Sequence, residues 1–462
     1  MTGPLDDTAL ERSAMRRIGW RLVPFLILAY FVSFLDRVNV GFAAIQMNHD
    51  AGLSATVFGW GAGIFFLGYF LMEIPSNLML ERYGARLWIA RIMASWGLIS
   101  AAMALVQGPW SFIALRFLLG VAEAGFFPGV ILYLTYWFPS AYRARIVGVF
   151  MISIPISSFL GSPISGALLG LSGWGLRGWQ WLFILEGLPA ILMAFAVLWL
   201  LPDGPRDAAW LPADERAWLE RRLKAEAARN TRNGQAAKPP LWDVLRDRRL
   251  ALFAAIYFGS TASSYGLSFW TPQIVKSFGL GNLETGLLNS IPYGFASVAM
   301  ILWGRHSDRM AERRWHLALS FLVLALGLAG GTVLSGLGPV VAALTVAAVG
   351  VYMLKGPFWA LATEQLPPAT AAASIAAINA VGNLGGFLGP YLIGAIKDGT
   401  GSFTLSLLPL VLFALISAVL SLVPGRPAGP DRGRTAPRRP DRRGFCTGPA
   451  PARREPLPGP RG

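Results

Sequence analysis

Long apolar segments recur along almost the whole chain, and they constrain its fold more than any other feature. Of the 462 residues, 54% are hydrophobic and 14% are charged, whereas a soluble domain carries roughly 25% charged residues. A helix of ~20 apolar residues spans the ~30 Å hydrocarbon core of a bilayer, and inside lipid a chain must satisfy its own backbone hydrogen bonds. We therefore predict an all-α membrane protein with twelve transmembrane helices, over residues 18–47, 56–79, 87–106, 110–136, 146–171, 181–201, 251–275, 284–303, 315–334, 340–363, 373–396 and 403–423.

Changes in composition divide the chain into five parts. A hydrophilic stretch, 202–250, separates a first set of six helices from a second set, and its segment 212–228 has the pattern of a short amphipathic helix. The alternative for this stretch is a solvated linker without a site. After residue 423 proline, glycine and arginine dominate, which is typical of disorder. The predicted parts are 1–17 (N-terminus), 18–201 (first half), 202–250 (linker), 251–423 (second half) and 424–462 (tail).

Arginine is concentrated in every second connection between the predicted helices. The ends before helix 1 and after helices 2, 4 and 8 are rich in arginine, and the opposite ends are poor in it. By the positive-inside rule both termini are expected in the cytoplasm. The net charge of +15 is therefore mainly a topology signal, and nucleic-acid binding is not expected. The single cysteine, Cys446, excludes an internal disulfide and a cysteine-based metal site.

The two halves resemble each other at an offset near 228 residues. The sequence SSFLG at 157–161 corresponds to GGFLG at 385–389, and the loop at 77–86 corresponds to the loop at 304–314. A parallel repeat of six helices places a binding site near the bilayer midplane, between the halves.

Four ionisable residues lie inside these apolar segments: Asp36, Arg37, Arg116 and Glu123. A charge at the bilayer centre costs at least ~2.5 kcal/mol and usually marks a substrate or proton pathway. Arg116 and Glu123 are seven residues apart, so they share a helix face at a spacing of about 10.5 Å. Guanidinium groups bind carboxylates in a bidentate manner, and the two acids can titrate. The alternative interpretation is a permanent ion pair between the neighbours Asp36 and Arg37.

These residues together predict a proton-coupled anion site. Arg37 and Arg116 would bind a carboxylate, and Glu123 and Asp36 would carry the coupling proton. Glu123 is the better candidate because it has no arginine next to it in sequence. Protonation of an acid would leave an arginine charge uncompensated and so favour binding of the substrate carboxylate. By reciprocal linkage, bound substrate would raise the pKa of that acid.

The chain resembles the major facilitator superfamily, and within it the anion:cation symporter family. The motifs FLDRVN at 34–39, RFLLGVAE at 116–123 and GPFW at 356–359 carry the narrower resemblance. The repeated loops resemble the superfamily motif GxxxDRxGRR, which implies gating roles for four residues, although topogenic charge is the alternative: Glu81, Arg82, Asp308 and Arg309. The resemblance also favours Tyr69, Trp359 and Asn379 as substrate contacts, with interhelical packing as the alternative.

The resemblance implies a secondary transporter that imports a small organic carboxylate, such as a sugar acid, tartrate or an aromatic acid, by proton symport. The alternatives are a proton-driven efflux antiporter and a membrane receptor that binds the anion without moving it. The sequence lacks a nucleophile with its base and a phosphate-binding loop, so no enzyme activity is expected. The expected partners are the organic anion, protons and the lipid of a bacterial-type inner membrane, with no metal, no cofactor and a monomeric state.

Overall fold

The computed structural model describes residues 4–232, 247–366 and 371–423, which are almost entirely helical. Their α-helices are α1 Pro4–Asp50, α2 Ala55–Tyr83, α3 Ala85–Ala102, α4 Pro109–Glu123, α5 Phe126–Trp137, α6 Ser140–Leu168, α7 Gly178–Leu200, α8 Ala213–Arg232, α9 Arg248–Lys276, α10 Asn282–Met310, α11 Arg314–Val333, α12 Leu337–Met353, α13 Lys355–Gln365, α14 Ala371–Asn383, α15 Gly385–Thr400, α16 Phe403–Ser406 and α17 Leu408–Leu422. The predicted all-α membrane fold is confirmed.

Eleven spans among these described residues are long and apolar enough to cross a membrane. Three of them consist of two consecutive α-helices each: α4 with α5, α12 with α13, and α16 with α17. The remaining predicted segment, 373–396, corresponds to α14 and α15, which meet at Leu384 and are each shorter than a full span. The N–H of Leu384 donates to the carbonyl of Val381 and its own carbonyl accepts from Leu388, both at 3.2 Å, so helical hydrogen bonds connect the two helices through this junction.

The junction between α4 and α5 has a local cause. Gly125 adopts a φ of 85°, in the left-handed region that favours glycine. A Cβ at this position would lie 2.3 Å from Ser76 Oγ, so glycine is also required by the close approach of α2. Glu123 consequently ends α4 in the middle of a membrane span.

Large apolar side chains remain exposed on the outer faces of the spans. Phe195, Leu326 and Val419 are 64%, 69% and 67% exposed. In water such a surface would promote association, whereas in lipid it costs nothing. The exposed faces are therefore the lipid-facing surface of the bundle.

The two halves pack closely at the end that carries Asp50 and the first residues of α2 and α10. A Cβ on Gly286 would lie 2.4 Å from the carbonyl oxygen of Ser162. Asp398 at the end of α15 accepts hydrogen bonds from the first backbone N–H groups of α2, at 3.1 and 2.7 Å. Small residues let the backbones approach here, and under the predicted orientation this end faces the periplasm.

The hydrophilic connection contributes α8, which packs on the opposite end of the first half. Glu215 is buried, accepts a hydrogen bond from Ser13 at 2.7 Å and pairs with Arg17 at 3.2 Å. Glu226 pairs with Arg143 of α6. The helix expected at 212–228 is therefore docked against α1 and α6, and the predicted N-terminal segment 1–17 is helical from Pro4 onward. The predicted tail lies outside the described residues.

Candidate functional site

Arg37 of α1 binds Glu123 at the end of α4 in an ion pair at the centre of the first half. Ser33, one turn before Arg37, donates a hydrogen bond to the same carboxylate oxygen of Glu123 at 2.7 Å. The second terminal nitrogen of Arg37 donates to the hydroxyl of Tyr265 at 3.1 Å. Tyr265 lies on α9 in the second half, 228 residues after Arg37, so positions equivalent by the repeat are in contact.

Arg116 is fully buried in α4, and most of its donors have no partner. Nη2 donates to the carbonyl oxygen of Ala62 at 3.0 Å. The Nε and Nη1 atoms are buried without a hydrogen-bond acceptor. A buried guanidinium with unused donors is costly, and a free donor together with the second N–H of Nη2 matches the geometry of a carboxylate.

An aromatic platform brings the two arginines to the same depth. The guanidinium carbons of Arg37 and Arg116 lie 5.2 and 5.1 Å from the ring centroid of Phe65. Tyr69, on the next turn of α2, lies 5.5 Å from the Arg37 guanidinium, and Phe269 lies 5.8 Å from that of Arg116. Three of the residues predicted to bind substrate, Arg37, Arg116 and Tyr69, are thus assembled around Phe65, with each cation over a ring face.

Asp36 faces a different part of the bundle from Arg37. Its carboxylate accepts hydrogen bonds from Trp96 Nε1 and Ser100 Oγ of α3, both at 2.8 Å. The alternative of an ion pair between Asp36 and Arg37 is therefore wrong for this conformation. Glu123 has no arginine next to it in sequence, but Arg37 reaches it from α1 and pairs with it.

The other two predicted substrate contacts lie in the second half, and among the described residues neither forms a hydrogen bond or ring contact with Arg37 or Arg116. Asn379 of α14 donates a hydrogen bond to Glu73 of α2 at 3.0 Å, a contact between the halves. Trp359 of α13 packs against Tyr257 of α9, with ring centroids 5.2 Å apart. Their contact with substrate stays a prediction.

The four predicted gating residues are exposed at the helix ends opposite the packed end. Asp308 pairs with Arg313 of its own half at 2.7 Å, and Arg82 lies 5.6 Å from the neighbouring ring of Tyr83. Within the described ranges, neither Glu81 nor Arg309 forms an ion pair with the other half. The gating role of all four residues stays a prediction.

Sequence reasoning missed several partners of these charges. Ser33 and Ser100 complete the hydrogen bonding of Glu123 and Asp36, and Trp96 supplies the indole donor. Ser33 is four residues before Arg37, a spacing that places both on one helix face and that could have identified it. The contacts of Asp36 with α3 have no comparable signal, because serine and tryptophan are frequent in such helices.

The assembled groups offer two cations, one carboxyl group and several aromatic faces, an arrangement that can hold an anion. In the part of the chain that the structure describes, no group of three or more potential metal ligands occurs. A carboxylate is the ligand class that matches the unused donors of Arg116.

Comparison with known proteins identifies related chains and folds. The family model described as Major Facilitator Superfamily matches residues 26–390. An Agrobacterium vitis protein named "Putative tartrate transporter" is 50% identical over 93% of this chain and 99% of its own length. The "Quinolone resistance transporter" of Acinetobacter baumannii is 44% identical over 89% of this chain and 95% of its own. The inward-open structure of the xylose transporter XylE from E. coli superposes with a TM-score of 0.68 at 15% identity, covering 90% and 98% of the two chains, and shares the fold.

Proposed function

The chain belongs to the major facilitator superfamily and is a multi-pass membrane transporter, and from this premise we propose that it imports a small organic carboxylate by proton symport. One observation carries the proposal: Arg116 is fully buried between the halves with Nε and Nη1 unpaired. One N–H of Nη2 donates to the Ala62 carbonyl, and the second N–H of Nη2 is parallel to an unpaired N–H of Nε or Nη1. One two-donor edge of the guanidinium is therefore available to bind a carboxylate through parallel hydrogen bonds. The relatives named for tartrate support the same ligand class.

Arg37 provides the second cation, and Glu123 determines whether its guanidinium is free to bind substrate. In this conformation the Glu123 carboxylate forms an ion pair with the Arg37 guanidinium and also accepts a hydrogen bond from Ser33. A substrate carboxylate therefore competes with Glu123 for the guanidinium. When Glu123 takes up a proton, it gives up the ion pair and leaves Arg37 available to the substrate. Because linkage is reciprocal, proton and substrate bind more tightly together than either binds alone.

Asp36 has a separate part in transport. Its two oxygens are held by Trp96 and Ser100 of α3, and within the described residues it forms no ion pair. It lies next to Arg37 in α1 and fixes the rotation of that helix against α3. We assign the coupling proton to Glu123. To Asp36 we assign the orientation of α1 and a role as a secondary protonation site.

Transport then follows from the packing of the halves. They are joined at the expected periplasmic end through Asp398 and Gly286. Substrate bound to Arg116 and Arg37 of the first half lies beside Phe269 and Tyr265 of the second. Its binding therefore involves both halves and favours a rocking motion that exposes the site to the other side. The expected location is a bacterial inner membrane with both termini in the cytoplasm.

Uptake by purified protein in liposomes tests the proposal. An inward proton gradient should drive accumulation of tartrate or a sugar acid, and collapse of the gradient with an ionophore should abolish it. Binding without uptake would indicate a receptor. The relative named for quinolone resistance favours export as the second candidate, and proton-driven loss of preloaded solute, with no accumulation, would establish it in place of symport.

A further inference from the structure

Two histidines are in direct contact where α10 ends and α11 begins, at the expected cytoplasmic end of the second half. Nδ1 of His306 lies 2.8 Å from Nε2 of His316. Nδ1 of His316 lies 2.9 Å from a carboxylate oxygen of Glu312, in the short connection between the helices. Trp303 stacks on His306 with ring centroids 5.7 Å apart, and its indole N–H donates to the carbonyl of His316 at 3.1 Å. These groups take no part in the arginine site.

The carboxylate of Glu312 determines where the protons of the two rings lie. Partial burial raises the pKa of Glu312, but hydrogen bonds from Trp315 and His316 outweigh this effect and leave the pKa below its ordinary value. An ionised carboxylate only accepts hydrogen bonds, so Nδ1 of His316 is the donor and, in the neutral ring, Nε2 is an acceptor. The donor that faces this acceptor is then Nδ1–H of His306, which leaves Nε2 as the basic nitrogen of the exposed His306 ring.

This arrangement can bind one further proton but not two. Histidine is the side chain whose ordinary pKa lies in the physiological range. A proton on Nε2 of His306 leaves Nδ1–H in place as a donor, so the bond between the rings is kept and becomes charge-assisted. The cation also lies against the face of Trp303, which stabilises it further. A second proton would have to enter at Nε2 of His316, where two donors would then face each other at 2.8 Å.

The same connection positions an ion-pair network of the second half. Arg313 pairs with Asp308 of α10 at 2.7 Å and with Glu364 of α13 at 3.3 Å. It also donates to Ser307 Oγ, which donates in turn to the backbone carbonyl of Glu312. The other charged groups on α10, α11 and the helices packed against them at this end are cations, which oppose the added proton, whereas Glu312 attracts it: Arg305, Arg309, Arg314, Arg143 of α6, Arg249 of α9 and Lys355 of α13.

We propose that His306 and His316 form a cytoplasmic proton-binding site that slows transport when the cell interior becomes acidic, an inference that rests on the proposed function. In this structure the expected periplasmic end is packed, and Arg313 is held within the second half. A gating role for Asp308 requires it to exchange Arg313 for a partner in the first half. A proton on the pair strengthens the connection that holds Arg313, so it stabilises the inward-facing conformation and delays this exchange. Symport delivers protons to the same side, so the site supplies negative feedback.

A cross-link at the periplasmic end measures the inward-facing population without any substrate. In full-length protein with Cys446 replaced, Asn48→Cys and Gln273→Cys can form a disulfide while that end is packed, because the two native side chains are in contact there. Lowering the pH from about 7.5 to about 6 should raise this yield about twofold more in the parent protein than in His306→Asn. The asparagine amide replaces Nδ1 as a donor but cannot be protonated, and all other titrating groups, the thiols included, are the same in both proteins.

Equal yields of the two proteins at about pH 8 would show that His306→Asn is folded and packed. An identical pH dependence in both proteins would overturn the inference.

NMR of the imidazole nitrogens tests the protonation pattern itself. The chain has three histidines, so ¹⁵N-histidine labelling combined with His49→Gln leaves only the signals of the pair. His316 should carry its proton on Nδ1, and the two rings together should take up one proton as the pH falls. Two protons, with both rings cationic, would overturn the site. Failure of the wild type to accumulate any carboxylate in liposomes, with the pH-dependent cross-link intact, would instead overturn the proposed function.

Discussion

Replacement of Arg116 by lysine isolates the contribution of the guanidinium fork from that of the charge. The Arg116 side chain uses Nη2 for the carbonyl of Ala62 and retains Nε and Nη1 for a ligand. A lysine amine keeps the positive charge but cannot contact the Ala62 carbonyl and present two parallel donors to a carboxylate. We therefore expect Arg116→Lys to fold and to bind substrate more weakly.

The magnitude follows from the hydrogen bonds that are lost. One charge-assisted hydrogen bond contributes about 1.5–3 kcal/mol, and each 1.4 kcal/mol corresponds to a tenfold change in affinity. Loss of one of the two bonds of the fork therefore predicts a dissociation constant about 10- to 150-fold higher. Isothermal titration calorimetry with the best-bound carboxylate measures this value.

Arg91 provides the matched control. This arginine also lies within a membrane span, where its guanidinium rests 4.1 Å from the ring centroid of Trp88 on the same helix. Arg91→Lys should change substrate affinity by less than about twofold, because its charge lies outside the proposed site. If Arg116→Lys binds within threefold of the wild type while Arg91→Lys is equally neutral, the bidentate model of the site is refuted.

Three further predictions concern coupling and conformation. Glu123→Gln mimics the protonated acid, so it should retain substrate binding and exchange across liposomes but lose accumulation driven by a proton gradient; sustained accumulation would mean that the proton is carried elsewhere. Asn48 of α1 donates a hydrogen bond to Gln273 of α9 at 3.4 Å, a contact between the halves. Gly286→Leu places a side chain against the backbone of the facing helix, so it should separate the packed end and lower the yield of a disulfide between Asn48→Cys and Gln273→Cys; an unchanged yield would contradict the packing. Asp308→Asn should shift the balance between inward-open and outward-open states in a cysteine-accessibility assay, and a change in which acids compete for uptake would disprove a gating role.

Two controls accompany these variants. The cross-linking experiment requires replacement of Cys446, the only native cysteine, so that no other disulfide forms. Gly304→Leu tests whether leucine in α10 is tolerated, because a Cβ at Gly304 meets no atom within 4 Å. Its cross-linking yield should equal that of the parent.

Much of this protein was determined by local sequence. Helical spans follow from the length of the apolar segments, since lipid leaves the backbone no other partner, and the confirmed membrane fold required nothing more. Glycine was necessary at Gly125 because the break after Glu123 uses a positive φ. The chemical nature of the site was also visible, since arginine and glutamate inside apolar helices usually mark a pathway for substrate or protons.

Only the tertiary structure decided which of these charges are partners. Arg37 binds Glu123, 86 residues away, and its neighbour Asp36 turns to Trp96 and Ser100. Consecutive residues on a helix do not face each other, so adjacency in sequence carried no information about pairing. The same holds for the charge left without an ion pair: that Arg116 forms none among the described residues depends on which helices pack around it. A linear sequence of apolar segments does not specify that packing.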